Sequence, residues 1–463
     1  MLDQDINNIT YSFSKNNEKE VEQFVGIENY ATYKTKGFKG EYKTLYKDFI
    51  VKEIDANGKI LSLKENRRSS SFSNELNDRY TTFNLTKINR DTFEAVRKLS
   101  KALNVPYSSI HYSGLKDKQA ISVQKISIRG NYIKELKTLK IRDLFVRNIY
   151  PSKKPVKLGS HLGNHFTITM RNLENINNLR QRIAKSLKFL NTFGFPNYFG
   201  LQRFGTYRPN SHIVGQLILK GDYENAFKEY VSTTYSTESD ESRRVRSDFR
   251  KDGDLKNAFD NFPRILKYER TMIQFLLENE KDYQGAIETL PKDLIRLLIS
   301  SFQSYLFNRM LSTRVKKGIS LFKPVKGDVI AILDDYNGNI TKVKYIYGEN
   351  YDKFVKKALK LDRATVVLPI IGSTTNLDNF PLMKTIFKDL CNIENIDTKI
   401  FISEHIDGND FKGTIRAMTI KPHGLKMVEF TDDELKEGKI KVTIEFSLQK
   451  GSYATMLLRE LNK

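Results

Sequence analysis

Between residues 111 and 124 the chain reads His-Tyr-Ser-Gly-Leu-Lys-Asp-Lys-Gln-Ala-Ile-Ser-Val-Gln. Asp117 is the only acid in a window that also holds Lys116, Lys118 and Lys125, and ammonium groups on both sides favour the anion. A charged carboxylate on an outward-facing turn is most often a solvated tip, but it is also the form that a general base or a nucleophile needs. A single acid argues against a glycoside hydrolase or nucleosidase, which works with paired carboxylates. His161 and His165 are four apart with Gly163 between them and no accompanying carboxylate motif, so no metal site is expected. The one cysteine, Cys391, excludes an internal disulfide framework and a multi-thiolate metal site. No Gly-x-Gly-x-x-Gly follows a strand and no phosphate loop is present, which argues against a nucleotide cofactor and against an S-adenosylmethionine methyltransferase.

The elements around Asp117 predict how it is held. Alternation over 110–113 and again from Ile121 through Val123, Ile126 and Ile128 predicts strand, tight connection, strand, with Asp117 at the apex. Upstream, 48–54 and 59–64 read as a hairpin about Asn57 and Gly58, 66–79 as an exposed loop containing Arg67 and Arg68, and 79–88 as a strand. Asp91 with Glu94 forms a capping-box pattern opening a helix whose apolar positions are Phe93, Val96, Leu99 and Leu103; it should end before Pro106. Downstream come a strand at 144–149, a Lys- and Gly-rich connection at 152–159, and a strand at 163–170 with Phe166, Ile168 and Met170 on one face. An amphipathic helix over 176–193 is closed by Gly194 and Pro196. From about 206 to 410 helical spacing dominates (223–231, 259–278, 294–315), with a hairpin-type turn at 334–338. Strand patterns return at 414–420, 426–430 and 440–448, and Ser452 is placed to cap a last helix carrying Met456, Leu457 and Leu461.

A chain of 463 residues predicts two or three domains. No apolar run approaches the length of a bilayer span and the N-terminus lacks a signal-peptide pattern, so a soluble, intracellular protein is expected. With 77 Lys plus Arg against 55 Asp plus Glu, the net charge is +22. Such an excess attracts polyanions and points to RNA or DNA, although an AT-rich coding bias would also enrich lysine.

Gly114 to Ala120 followed by Val123 and Gln124 resembles the signature of the TruD-type pseudouridine synthases. Two further blocks occur in the same order: Pro-Asn-Tyr-Phe-Gly-Leu-Gln-Arg-Phe-Gly at 196–205 and Gly-Ser-Tyr-Ala-Thr-Met-Leu-Leu-Arg-Glu at 451–460. The resemblance covers 21–463, with a weakly matched middle. It implies an α+β fold: a pseudouridine-synthase catalytic domain, with a mixed, mainly antiparallel sheet and flanking helices, interrupted by an inserted, largely helical TRUD domain. The implied division is a polar extension at 1–20, catalytic domain at 21–205 and 411–463, and insert at 206–410. The implied activity is isomerisation of uridine to pseudouridine in tRNA, by default at position 13, with no cofactor and no metal, by a cytoplasmic protein (nuclear if eukaryotic) that is expected to be a monomer. By the same resemblance Asp117 is the catalytic carboxylate, as nucleophile or base, and Lys43 its basic partner, with Lys47 as the nearby alternative because 46–49 departs from the usual Pro-Glu-Asp-Phe. Phe166 would stack on the uracil beside Asn164, and Lys116 would bind substrate. Aromatic and guanidinium groups interleaved at 196–205 suit stacked bases and phosphates, which makes Phe199, Gln202, Arg203 and Phe204 substrate-binding candidates; the alternative is an aromatic-rich domain hinge. Arg459 would either contact RNA or pair locally. The competing expectation is a non-catalytic tRNA-binding or folding protein on the same scaffold.

Overall fold

A computed structural model describes residues 10–11, 18–32, 35–64, 79–205, 207–334, 339–348, 352–397, 399–402 and 411–463. Most of the expected arginine-containing loop at 66–79, most of the turn at 334–338 and most of the N-terminal extension lie outside these residues. The chain forms two compact units, one from residues 1–31 with 196–419 and the other from 32–195 with 420–463. The division therefore differs from the expected boundaries at 205 and 410, and residues 21–31 join the helical unit. The reason is local: Asn308 and Ser312 donate to the carbonyls of Val25 and Gly26, and Arg309 pairs with Glu28, all within that unit.

In the second unit eight strands make one sheet. They are β1 (Phe49–Ile54), β2 (Tyr80–Ile88), β3 (Ile110–Tyr112), β4 (Ile121–Arg129), β5 (Leu144–Ser152), β6 (Gly163–Glu174), β7 (His423–Asp432) and β8 (Lys439–Gln449). The order is β7-β8-β6-β1-β4-β2-β5, with β3 also on β4. Every pairing is antiparallel except β1 with β4. One edge of β4 is shared: residues 121–123 pair with β1 and residues 126–128 with β3. Those two strands abut end to end, and the chain leaves the sheet at that junction to make the Asp117 loop. The connection spans 113–120 and is not the tight turn expected.

Period-two patterning decides which face is covered. In β6, Phe166, Ile168 and Met170 are buried and the threonines between them less so. The helix Thr92–Leu103 lays Ala95, Val96 and Leu99 on Phe83, Leu85, Ile126 and Ile128. Phe93, expected on that stripe, is 43% exposed; Thr92 takes the inward position instead. Asp91 caps the helix by accepting from the Glu94 amide at 2.7 Å, while the Glu94 carboxylate turns to Arg90 and so leaves the capping box half made. The helix expected over 176–193 begins at Leu179 and leaves Ile176 exposed, but buries Ile183, Leu187 and Leu190; Ala454–Asn462 buries Met456, Leu457 and Leu461 as expected. Ser452 does not cap the latter, since Tyr453 occupies the cap position without a side-chain bond. Past the Asn57–Gly58 turn the expected second strand is reduced to a single bridge between Ile54 and Ile60.

The first unit is mostly helical, with a four-stranded antiparallel sheet ordered Ile340–Ile346, Val329–Leu333, Ala364–Ile370, Thr414–Ala417. Its long helix Lys292–Lys316 packs against Ser211–Leu219. A Cβ at Gly215 would lie 2.2 Å from the Leu298 carbonyl oxygen, so only glycine permits that approach. The helix expected over 259–278 is broken at Pro263 into Leu255–Asn261 and Lys267–Glu278.

A buried ion cluster joins the two chain segments of the second unit. The Arg171 guanidinium on β6 donates twice to Asp48 at 2.9 Å and once to Asp433 at 2.7 Å. Removing it as Arg171→Met strands two buried carboxylates, and thermal or urea denaturation should show a loss of about 3–5 kcal/mol. Burial opposes the Asp433 anion, but the amides of Asn172 and Leu435 together with Arg171 outweigh it and hold the carboxyl below its ordinary 3.8. Its stabilisation is therefore present above pH 3.8 and lost as pH falls through the lower folded-state value, and acid titration of the variant should lack the part that Arg171 supplies.

Candidate active site

The 113–120 loop is tied down from beneath by its own backbone. The Lys116 amide donates to Thr92 Oγ1 at 3.0 Å, that hydroxyl donates to Gln124 Oε1 at 3.1 Å, and Gln124 Nε2 reaches back to the Gly114 carbonyl at 3.3 Å. The fully buried ammonium of Lys87 on β2 donates to three carbonyls, those of Asp117 (2.6 Å), Arg90 (2.6 Å) and Lys116 (3.1 Å). Burial pushes this amine down to about 8; the Asp117 and Asp91 carboxylates pull the other way and Lys116 pushes it further down. A second buried charge pair holds the start of the loop. Glu53 lies 2.9 Å from Lys116 Nζ and accepts from Ser113 Oγ at 2.5 Å and from the Lys125 amide at 3.2 Å.

With the backbone fixed, the Asp117 carboxylate projects from the loop with 24% of its side chain exposed, 3.8 Å from Lys43 Nζ. Lys43 has φ +64°, and its ammonium lies 4.4 Å from the centroid of the Phe49 ring. Gln119 Nε2 donates to the Lys43 carbonyl at 3.3 Å, tying the lysine's segment to the loop. Lys47, the alternative partner, instead pairs with Glu434 on the surface.

The structure sorts the other expected residues. Phe166 is only 5% exposed, stacked on Phe446 at 5.2 Å and edge-on to Phe49 at 6.2 Å, so it stands one ring behind the ring that Lys43 covers. Asn164 lies opposite Glu53 and Phe166 opposite Val51, which sets both on the face bearing the Glu53 and Lys116 pair. The buried Oδ1 of Asn164 has no donor among the described residues. Lys116 is not presented to solvent as a substrate ligand: its charge is buried and taken by Glu53. Arg459 is buried as well.

Phe199, Gln202, Arg203 and Phe204 belong to the other unit. Asn308 accepts from the Phe199 amide at 2.8 Å and donates to its carbonyl at 3.0 Å, and the Arg416 guanidinium lies 4.1 Å from its ring centroid. Arg203 donates to Ser300 Oγ at 2.7 Å and Ser304 Oγ at 3.2 Å, and Gln202 is exposed. Phe204 is fully buried with its ring edge-on to His212. Sequence reasoning missed Lys87, Glu53, Thr92 and Gln124. The signal for two of them was present, because Lys87 continues the inward alternation Phe83, Leu85 and Glu53 continues Phe49, Val51.

Loss of the Lys87 clamp would leave buried carbonyls unsatisfied and the loop free to shift. A displacement near 1 Å costs about 100-fold in rate, so Lys87→Met should lose at least about tenfold in turnover while keeping its circular dichroism spectrum. Above pH 8 the neutral amine has two N–H groups for three carbonyls, and the wild-type rate should fall through an alkaline limb that the variant lacks. Between about 8 and the ordinary 10.5 the unfolded chain holds the extra proton, so this group's own contribution makes stability rise with pH, and a thermal melt across the same pH range separates the limb from unfolding by other groups.

The model of the family described as tRNA pseudouridine synthase D (TruD) matches residues 24–461. A Methanosarcina mazei protein named "Probable tRNA pseudouridine synthase D" is 33% identical over 452 residues, 96% of this chain and 98% of that one. A Thermococcus sibiricus protein of the same name is 33% identical over 435 residues, covering 93% and 96%. A crystal structure of a TruD protein from Methanosarcina mazei superposes with a TM-score of 0.78 at 32% identity, over 96% of this chain and 97% of that one. The match spans both compact units and includes the loop that carries Asp117, and the chain belongs to the TruD family.

Proposed function

We propose that this chain is an RNA pseudouridine synthase that isomerises uridine to pseudouridine in tRNA, with uridine 13 as its target. In that reaction the bond from ribose C1′ to uracil N1 breaks, the detached base rotates, and C1′ joins C5. The C5 proton is lost and N1 gains one, so atoms balance without an oxidant, a reductant or an energy source. Asp117 acts at the sugar, either by attacking C1′ or by taking the C2′ proton. The observation that carries the reading is a carboxylate 3.8 Å from Lys43 Nζ, on a loop whose backbone is fixed by buried charge. Lys43 holds that carboxylate in place, Asn164 supplies an unused amide oxygen for the uracil edge, and Phe166 supports the aromatic floor.

The helical unit, with Phe199, Gln202 and Arg203, binds RNA and sets selectivity, and the chain works as a monomer in the cytoplasm. No helix among the described residues is long and apolar enough to cross a membrane, and the +22 charge suits a polyanionic substrate. Incubating a tRNA transcript with the wild type and with Asp117→Ala, then mapping pseudouridine, tests the reading. The wild type should convert uridine 13 and the variant should fall by at least about 1,000-fold with affinity held within a few-fold. Absent product with both, at unchanged tRNA affinity, would favour a non-catalytic binder.

A further inference from the structure

The Lys- and Gly-rich connection between β5 and β6 has no role in the chemistry above, yet it stands against the catalytic loop. The Gly159 amide donates to the Ser113 carbonyl at 2.7 Å, and a Cβ at Gly114 would meet the His161 ring at 3.0 Å. The connection is also pinned along its length. The Val156 amide donates to Ser127 Oγ at 2.8 Å, the Ser160 amide to the Lys157 carbonyl at 3.0 Å and the Leu162 amide to the Ile54 carbonyl at 3.0 Å. Lys450 Nζ holds the Gly159 carbonyl at 2.8 Å.

On this fixed support sits Leu158, 78% exposed and the most exposed large apolar side chain among the described residues of its unit. Lys153, Lys154 and Lys157 surround it in sequence, all exposed, and residues 152–160 contain no acid. A single exposed leucine is ordinary. One held out by a hydrogen-bonded loop, flanked in sequence by lysines and anchored to the start of the loop that carries Asp117, calls for a ligand that is both anionic and stacked.

We propose that residues 153–158 form a prong that enters the RNA: Leu158 is the wedge that occupies the stack when the target uridine is turned out, and the three lysines hold the flanking phosphates. The proposal rests on the RNA-modifying reading and adds a device to it. A uridine within a stacked helix must leave before Asp117 can reach its sugar, and apolar side chains inserted between bases hold such an opening. Each lysine that neutralises a phosphate releases counterions and steepens the salt dependence of binding. Leu115, two residues before Asp117 on the neighbouring loop, is a second exposed apolar side chain.

The test has two arms on the full chain. In the first, tRNA affinity is measured between 50 and 200 mM salt for wild type and for K153A/K154A/K157A. The slope of log affinity against log salt should fall by about 2–3, roughly 0.9 for each phosphate that is no longer neutralised; an unchanged slope overturns the proposal whatever the activity. A lowered slope in a protein that makes no pseudouridine would uphold the RNA contact and sink the catalytic reading alone. The second arm compares single-turnover rates on folded tRNA and on a short unpaired RNA carrying the same uridine. Leu158→Ala should lose at least about tenfold on the folded substrate, keep affinity within about twofold, and match wild type on the unpaired one. Equal rates on folded tRNA, or equal losses on both substrates, would remove Leu158 as a wedge.

Discussion

Three carbonyl oxygens converge on the ammonium of Lys87, and the geometry of the site depends on that convergence. A buried amine loses its hydration and would be costly if left alone; here three N–H groups each find an oxygen, and charge-assisted bonds offset part of the loss. The clamp takes hold of main chain. It fixes where Lys116 and Asp117 run by gripping their carbonyls, and so leaves the Asp117 carboxylate to face Lys43 and a substrate. Glu53 does the corresponding work at the start of the loop, receiving Ser113 and the ammonium of Lys116. Both charges sit on strands, so the loop inherits the rigidity of the sheet.

The sheet makes this possible by an irregularity. Because β1 and β3 share one edge of β4, the sheet has a seam at which one strand ends and another begins. A loop leaving at a seam passes over exposed strand ends, where side chains such as Glu53 can reach up to it. A tight hairpin at the same place would have had only its own two strands for support. The length of 113–120 is therefore part of the site, since it carries the carboxylate from β3 across to the Lys43 segment.

Much of this was legible in the sequence, for reasons that can be named. The helix Thr92–Leu103, with its capping acid and left-handed stop, and the glycine that stops Leu179–Phe193 announce those ends by local hydrogen-bond chemistry. The strand at β6 is visible because one face is buried and the other is not. Asp117 and Lys43 came from motif resemblance, and their 3.8 Å separation agrees with the pairing expected of them. What stayed hidden is charge turned inward. A lysine reads by default as solvated or as bound to phosphate, so Lys116 looks like a substrate ligand in the sequence when it is a buried partner of Glu53. Phe204 shows the converse, an aromatic in an RNA-like motif that is wholly core. Both depend on neighbours distant in sequence, which periodicity does not encode.

The Lys87 clamp, and not the strength of the sheet as a whole, sets the position of Asp117. Native-state hydrogen exchange on wild type and Lys87→Met, followed peptide by peptide, reads this directly. Amides of residues 113–120 should exchange at least about tenfold faster in the variant while those of β2 and β4 keep their protection. Unchanged exchange across 113–120, or equal loosening of the entire sheet, would contradict the account.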